Sequence, residues 1–205
     1  MIILEEYRMR FGFNEELLEL GLTNLSSTSC NIIVYNNKVM KKLNLPSLKM
    51  MTPPDLSLLE NVDFRNRTYI NISPESPDFC ITTDEMRTLM SFETNYIEKI
   101  YGKYCEPTIS ETVCRTPAIG CLEVIGNVEI NSEFQLDSMR NVERIYGSLV
   151  ITGTNITDFS FLEHLEFVVT LEQKLAITIE NNPNLNDVRF PKLKVFGSNS
   201  NSFLM

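Results

Sequence analysis

The chain has a single histidine, His164, and nowhere among its 205 residues does a run of 18 apolar side chains occur. Without such a run there is no candidate membrane-spanning helix. One histidine also leaves little for acid–base chemistry. His164 lies in F-L-E-H-L-E between Glu163 and Glu166, with no G-x-S-x-G, H-E-x-x-H or active-site cysteine context to supply a nucleophile. It reads as a surface or half-buried side chain. No glycine-rich phosphate loop occurs, and no two of the many acids stand out as a catalytic carboxylate pair. The five cysteines contain no C-x-x-C and lack finger or ribbon spacing, which argues against zinc. Cationic side chains are scarce too: 18 Lys and Arg against 27 Asp and Glu give a net charge of -9. Binding to nucleic acid or to an anionic membrane needs concentrated basic residues, so neither partner is expected. These absences point to a non-enzymatic protein with no cofactor, no metal and no small-molecule substrate.

What the chain has in excess is asparagine, 20 residues. A short polar side chain that bonds nearby backbone or tolerates the left-handed region suits a corner. Two of these asparagines sit in a passage that occurs twice. Residues 32–49 read IIVYNNKVMKKLNLPSLK and residues 177–194 read ITIENNPNLNDVRFPKLK, at a constant offset of 145 with no gap. Ile32/Ile177, Val34/Ile179, Asn36/Asn181, Asn37/Asn182, Met40/Leu185, Leu43/Val188, Pro46/Pro191 and Leu48/Leu193 fall in register, and upstream Leu17/Leu162 and Leu20/Leu165 fit the same offset. A duplication of this length predicts two related domains, and its short apolar–Asn–Asn–apolar rhythm predicts a solenoid.

Along the chain, residues 11–27 fit neither helical nor strand period cleanly and read as a short helix or an irregular rung. Residues 31–35 read as a strand ending in the Asn36-Asn37 turn. Thr82 to Glu85 carries a capping-box spacing, and Met86, Leu89, Met90 and Ile97 follow at helical spacing, which predicts a helix over about 83–100 closing the first domain. Three dyads recur further on: Val128-Glu129-Ile130, Leu149-Val150-Ile151 and Ile177-Thr178-Ile179. Gly126 and Gly147 precede the first two, 21 residues apart. Alternation points Val128, Ile130, Leu149, Ile151, Ile177 and Ile179 inward and stacks Glu129, Val150 and Thr178 on the outer face. A rung cannot bury its own apolar side, so the strands are expected to stack in parallel as a right-handed coil, with an antiparallel sandwich as the weaker alternative. The expected fold is mostly β: a right-handed parallel β-helix, or leucine-rich-like solenoid, in two tandem units. Their bounds are 1–105 and 121–205, with a Cys/Pro/Thr-rich connector over 106–120.

The same residues carry a family likeness. The matching elements are Cys121, Ile125-Gly126-x-Val128-x-Ile130, Val142-x-x-Ile145-x-Gly147-x-Leu149-x-Ile151 and Thr154-Asn155-Ile156. Phe161-Leu162-x-x-Leu165, Ile177-x-Ile179-x-Asn181-Asn182-Pro183-x-Leu185 and Val188-x-x-Pro191-x-Leu193 complete them. On these elements the chain resembles the receptor L-domain, the leucine-rich-like β-helical domain paired in the ectodomains of insulin and epidermal-growth-factor receptors. It is more similar still to nematode proteins built mainly of such domains. In the first copy only the later rungs match, from about Leu17, and Phe79-Cys80-Ile81 resembles the closing cysteine segment. Against that pattern the first domain lacks its opening rungs, leaving Met1–Phe13 to improvise a cap, and the second stops before its closing cysteine segment. No kinase motif is present.

The resemblance implies an extracellular or cell-surface protein, although MIILEEYRMR is too short in its apolar part for a signal peptide and SNSNSFLM lacks a lipid-anchor tail. Five cysteines, an odd number, leave one unpaired within the chain. Four of them cluster at the expected domain ends, where Cys80 with Cys105 and Cys114 with Cys121 are the pairings named first. Four cysteines allow three connectivities, and the other two remain open. Cys30 is the fifth. Sequons occur at Asn24, Asn66, Asn71 and Asn155, with Asn155, in the turn after Ile151, the best placed. A flat outer face carrying Glu129, Val150, Thr152, Thr178 and Glu180, with Tyr35 at the equivalent place in the first domain, is the candidate binding surface. The family likeness implies a protein or peptide ligand of insulin-like or growth-factor-like type, captured by a decoy or receptor-related protein. The competing reading is a structural or adhesive repeat protein, or a truncated paralogue without ligand.

Overall fold

Ile32 and Val34 alternate with Ile33 and Tyr35, and that period of two makes residues 31–35 a strand with one sealed face. Ile32 and Val34 are fully buried, whereas Ile33 and Tyr35 are half-exposed. The computed structural model describes residues 8–52, 68–91, 95–106, 109–172, 174–198 and 201–204. The chain divides into two compact units, Met1–Cys105 and Glu106–Met205. It is mostly β, with parallel sheets and one α-helix among the described residues.

The first unit runs β1 (Arg8–Gly12), β2 (Ser27–Thr28), β3 (Asn31–Tyr35), β4 (Met50–Met51), β5 (Thr68–Ser73), β6 (Cys80–Ile81), α1 (Thr83–Met90), β7 (Asn95–Ile100) and β8 (Lys103–Tyr104). Its main sheet has the order β1-β3-β5-β7, and β2-β4 and β6-β8 form two short pairs. Every pairing is parallel. Ile32, Val34, Ile70, Ile72, Ile97 and Ile100 line the buried side of the main sheet, each contributing roughly 1.5–3 kcal/mol by leaving water.

Two expectations are corrected here. The segment expected as a makeshift cap contains a full strand, because Arg8–Gly12 pairs in register with Asn31–Tyr35. Residues 11–27 hold no helix. The helix expected over about 83–100 ends at Met90. Its start is as read: Thr82 caps it, accepting a hydrogen bond from the Glu85 amide while the Glu85 carboxylate accepts one from the Thr82 amide. Beyond it, Asn95–Ile100 joins the sheet beside β5. The misreading has a physical cause. Ile97 pairs with Ile70, but Lys99 pairs with Asn71 and Ile100 with Ile72, so the register shifts by one residue at a β-bulge. A bulge lets two side chains three residues apart both face inward, and that spacing imitates a helix.

The second unit runs β9 (Val113–Cys114), β10 (Glu123–Ile125), β11 (Val128–Ile130), β12 (Arg144–Tyr146), β13 (Leu149–Thr152), β14 (Phe167–Thr170), β15 (Ile177–Glu180), β16 (Val195–Ser198) and β17 (Asn201–Leu204). One sheet has the order β17-β16-β14-β12-β10-β9 and the other β11-β13-β15. Apart from the antiparallel β16–β17 pair, all pairings are parallel. A sandwich of antiparallel sheets is therefore not what these strands build. The three dyads are β11, β13 and β15. The first two are each preceded, across a glycine corner, by a strand of the larger sheet that the dyad pattern did not reveal. The connector is also not free chain, since β9 within it pairs with β10. Between the sheets lies a core of Val124, Val128, Ile130, Ile145, Leu149, Ile151 and Val168, with Ile177 and Ile179 half-buried against it.

Two glycines turn the chain from the larger sheet into the smaller one. Gly126 has φ of 140°, a conformation that side chains resist. Gly147 is there for close approach: a Cβ on it would stand 2.1 Å from the Gly126 carbonyl oxygen. The repeated asparagine pair makes the other corner. Asn36 and Asn181 both take left-handed backbone, with φ of 49° and 57°. The side chains that follow reach back one strand. Asn37 Nδ2 donates to the Phe11 carbonyl at 2.9 Å, and its Oδ1 accepts from the Asn14 amide at 3.0 Å. Asn182 Nδ2 donates to the Ile151 carbonyl at 3.0 Å, and its Oδ1 accepts from the Thr154 amide at 3.0 Å and the Thr154 hydroxyl at 2.6 Å. Phe11 pairs with Val34 and Ile151 with Ile179, so the two clasps occupy equivalent places.

Gly147→Ala should force the two corners apart and cost about 1–3 kcal/mol, the usual penalty for overpacking. Urea denaturation of the variant is the check, with a lowered midpoint at unchanged slope expected.

Candidate functional site

Glu129, Val150 and Thr178 form one row across β11, β13 and β15, and Thr152 and Glu180 pair in the next row. The row exists because their neighbours in sequence face the core, leaving the alternate positions on the other side. Glu129 and Glu180 are exposed, and Val150, Thr152 and Thr178 are half-buried. The five positions thus make a flat strip, acidic at two corners and small or apolar between, with strands about 4.8 Å apart. A strip of this kind can meet a chain laid across it. It holds no nucleophile–base arrangement.

Tyr35 lies in the other unit, at the position that corresponds to Glu180. Its ring lies over Gly12, where a Cβ would come 2.2 Å from the ring's Cζ. The Arg10 guanidinium stands 5.0 Å from the ring centroid, and the Phe13 ring meets it edge-on at 5.2 Å. Phe13 is 70% exposed. Sequence reading placed Tyr35 on this face and missed Arg10 and Phe13. The alternation of Arg8, Arg10 and Gly12 against Met9 and Phe11 signals Arg10. Phe13 follows the strand in left-handed backbone, with φ of 58°, and breaks that pattern. Further along the same sheet, the Tyr69 hydroxyl and the Asn71 amide both donate to the Glu98 carboxylate.

Cys80 pairs with Cys105 and Cys114 with Cys121, across Cα separations of 4.8 and 6.1 Å. The first bond joins β6 to the residue after β8, and the second closes the loop between β9 and β10. Cys30 is free and half-buried. Of the sequons, Asn24 is exposed in a turn and Asn155 is exposed in non-regular chain. Asn71 sits in β5 with strands on both sides, and Asn66 lies outside the described residues. His164 is half-buried, donating from Nδ1 to the Arg140 carbonyl at 2.9 Å. Among the described residues there is no cluster of three or more His, Cys, Asp or Glu able to hold a metal, and no helix long and apolar enough to cross a membrane.

A cleft of about 610 Å³ opens on the second unit between the loop after β11 and the loop after β13. Asp137 pairs with Arg140 at 2.8 Å along one wall, which raises the Arg140 pKa. On the other wall the Ser160 amide donates to Asp158 at 2.9 Å. That bond, aided by the Ser160 and Thr157 hydroxyls, holds the Asp158 carboxyl below its ordinary value. A depressed carboxyl pKa contributes order that is present at neutral pH and is lost only as pH falls through the acid range.

Residues 120–204 match the family model described as Receptor L domain. Over 202 aligned residues the chain is 26% identical to the protein irld-34 of Caenorhabditis elegans, an alignment covering 88% of this chain and 47% of that protein. The chain thus spans about half the length of this curated relative. No solved structure matches the chain. Fold and likeness agree: the chain is mostly β with parallel sheets, resembles receptor L domains over residues 120–204, and carries two disulfides.

Iodoacetamide applied to the folded, unreduced protein should label Cys30 alone, with the other four protected as disulfides. Peptide mass spectrometry reads this directly, and label on Cys80 or Cys114 would contradict the pairing.

Proposed function

We propose that the protein is an extracellular recognition module of two tandem L-type units, each a right-handed coil of parallel tiers, that binds a peptide or protein ligand across its outer sheet faces. The supporting observation is the register of Glu129, Val150 and Thr178 on a strip whose reverse side is the hydrophobic core. Such a strip is preorganised, so binding orders little chain. Tyr35, held between Arg10 and Phe13, supplies the aromatic and arginine character typical of residues that dominate binding energy. Two disulfides suit an oxidising compartment. The sequons at Asn24, Asn66, Asn71 and Asn155 suit the same one.

Insulin-like or growth-factor-like peptides are the ligand class in this reading, and the protein acts as a decoy or receptor-related binder. A panel of such peptides passed over the immobilised chain tests it by surface plasmon resonance. Glu129→Lys and Val150→Asp should each raise the Kd at least about tenfold, equivalent to 1.4 kcal/mol, with the far-UV circular dichroism unchanged. Binding that ignores both substitutions moves the site off this strip. No binding by any peptide of the panel overturns the recognition reading in favour of a structural repeat protein.

A further inference from the structure

The cleft on the second unit has a floor of mixed character. Phe134, Leu136 and Ile156 pack against the core with their outer sides still open. Its rim is polar, carrying Asn131, Ser132 and the Asp137–Arg140 pair. An occupant that is apolar on one face and hydroxylated on the other fits such a surface, and a pyranose ring is of that kind. The volume of about 610 Å³ lies within the range of small-ligand sites, roughly 300–1,000 Å³.

One residue of the lining also begins a sequon, the sequence signal for attachment of sugar. Asn155 begins the sequon Asn155-Ile156-Thr157, and it is exposed, in non-regular chain. No hydrogen bond ties down its carboxamide among the described residues. Its backbone is nonetheless placed firmly, because Thr154 just before it is buried and bound twice to Asn182. Asn71, by contrast, has its amide engaged by Glu98 within a paired strand, and Asn24 is not in the lining of this cleft.

We propose that Asn155 carries an N-linked glycan whose first sugars fold back into this cleft, covering Phe134, Leu136 and Ile156. The inference rests on the extracellular reading above. Attachment joins Asn155 Nδ2 to the anomeric carbon of a pyrophosphate-linked oligosaccharide. The bond from that carbon to the pyrophosphate oxygen breaks, and the amide proton leaves with the released pyrophosphate. No electron transfer is involved. The glycan then acts as a structural part of the second unit, not as a solvent-borne appendage.

The test is secretion of the full chain from an animal cell line, glycopeptide mass spectrometry, and thermal unfolding of four samples. These are the glycosylated chain, the same chain trimmed enzymatically to one N-acetylglucosamine per site, Asn155→Gln and Asn24→Gln. The expected result is sugar on Asn155 and a Tm lowered by about 2–4 °C in Asn155→Gln, the shift of a modest stability loss. The trimmed chain should keep most of the difference, and Asn24→Gln should not move the Tm. Phe134→Ala should lower the Tm more in the glycosylated chain than in the Asn155→Gln background, which separates sugar contact from plain loss of packing. Sugar on Asn24 but none on Asn155 overturns the inference and leaves the extracellular reading intact, as does an Asn155→Gln chain of unchanged Tm. A secreted-pathway product with no sugar at any sequon and five free thiols overturns both.

Discussion

The second asparagine of each repeated pair bonds backbone one strand back, and much of the architecture follows from that contact. A parallel strand leaves its corner carbonyls and amides with no partner of their own, and unpaired buried backbone groups are costly. Asn37 and Asn182 meet this need with one donor and one acceptor each. Asn37 is 0% exposed, so water cannot substitute for it. The first asparagine of each pair supplies the turn that aims the second. Because the side chain bridges to the preceding strand, it also fixes which residues stand side by side on the outer face. The alignment of Thr152 with Glu180, and of Gly12 with Tyr35, is set two or three residues from these corners.

That constraint also explains why the duplicated passage survives as geometry and not only as letters. Over residues 32–50 and 177–195 the pattern of strand, corner, turn, second turn and following strand coincides almost position for position. The Lys41 amide donates to the Leu18 carbonyl as the Asn186 amide donates to the Thr157 carbonyl, and the Lys49 amide bonds Ser26 as the Lys194 amide bonds Glu166. The two faces nevertheless differ in chemistry. Arg10, Tyr35 and Phe13 make an aromatic, cationic surface where the second unit has Val150, Glu180 and Gly153. One backbone plan thus presents two unlike surfaces.

What could be read from the letters was whatever repeated at short range. The inward dyads, the Asn-Asn corners, the start of the helix at Thr82 and the cysteines near the unit ends all belong to that class. The strands β10, β12 and β14 were harder to see, because they are three or four residues long and buried on both faces, so alternation is absent. The end of the helix was hidden by a bulge that gives Ile97 and Ile100 a helical spacing. The surroundings of Tyr35 required knowing that Gly12 lies opposite it, and a register across 23 residues is not written in any local pattern. The cleft beside Asn155 likewise arises from two loops brought together by the pairing of β11 with β13.

Native-state hydrogen exchange on Asn37→Ala and Asn182→Ala tests the role of the corner clasps most directly. Leaving buried partners unpaired costs about 1–3 kcal/mol, which is roughly ten- to hundredfold in exchange rate. The account predicts that Asn37→Ala speeds exchange at the Asn14 amide and through β1 and β3. It predicts that Asn182→Ala does the same at the Thr154 amide and through β13 and β15, each variant leaving the other unit protected. Amides at Asn14 and Thr154 that exchange as slowly in the variants as in the natural chain would contradict it.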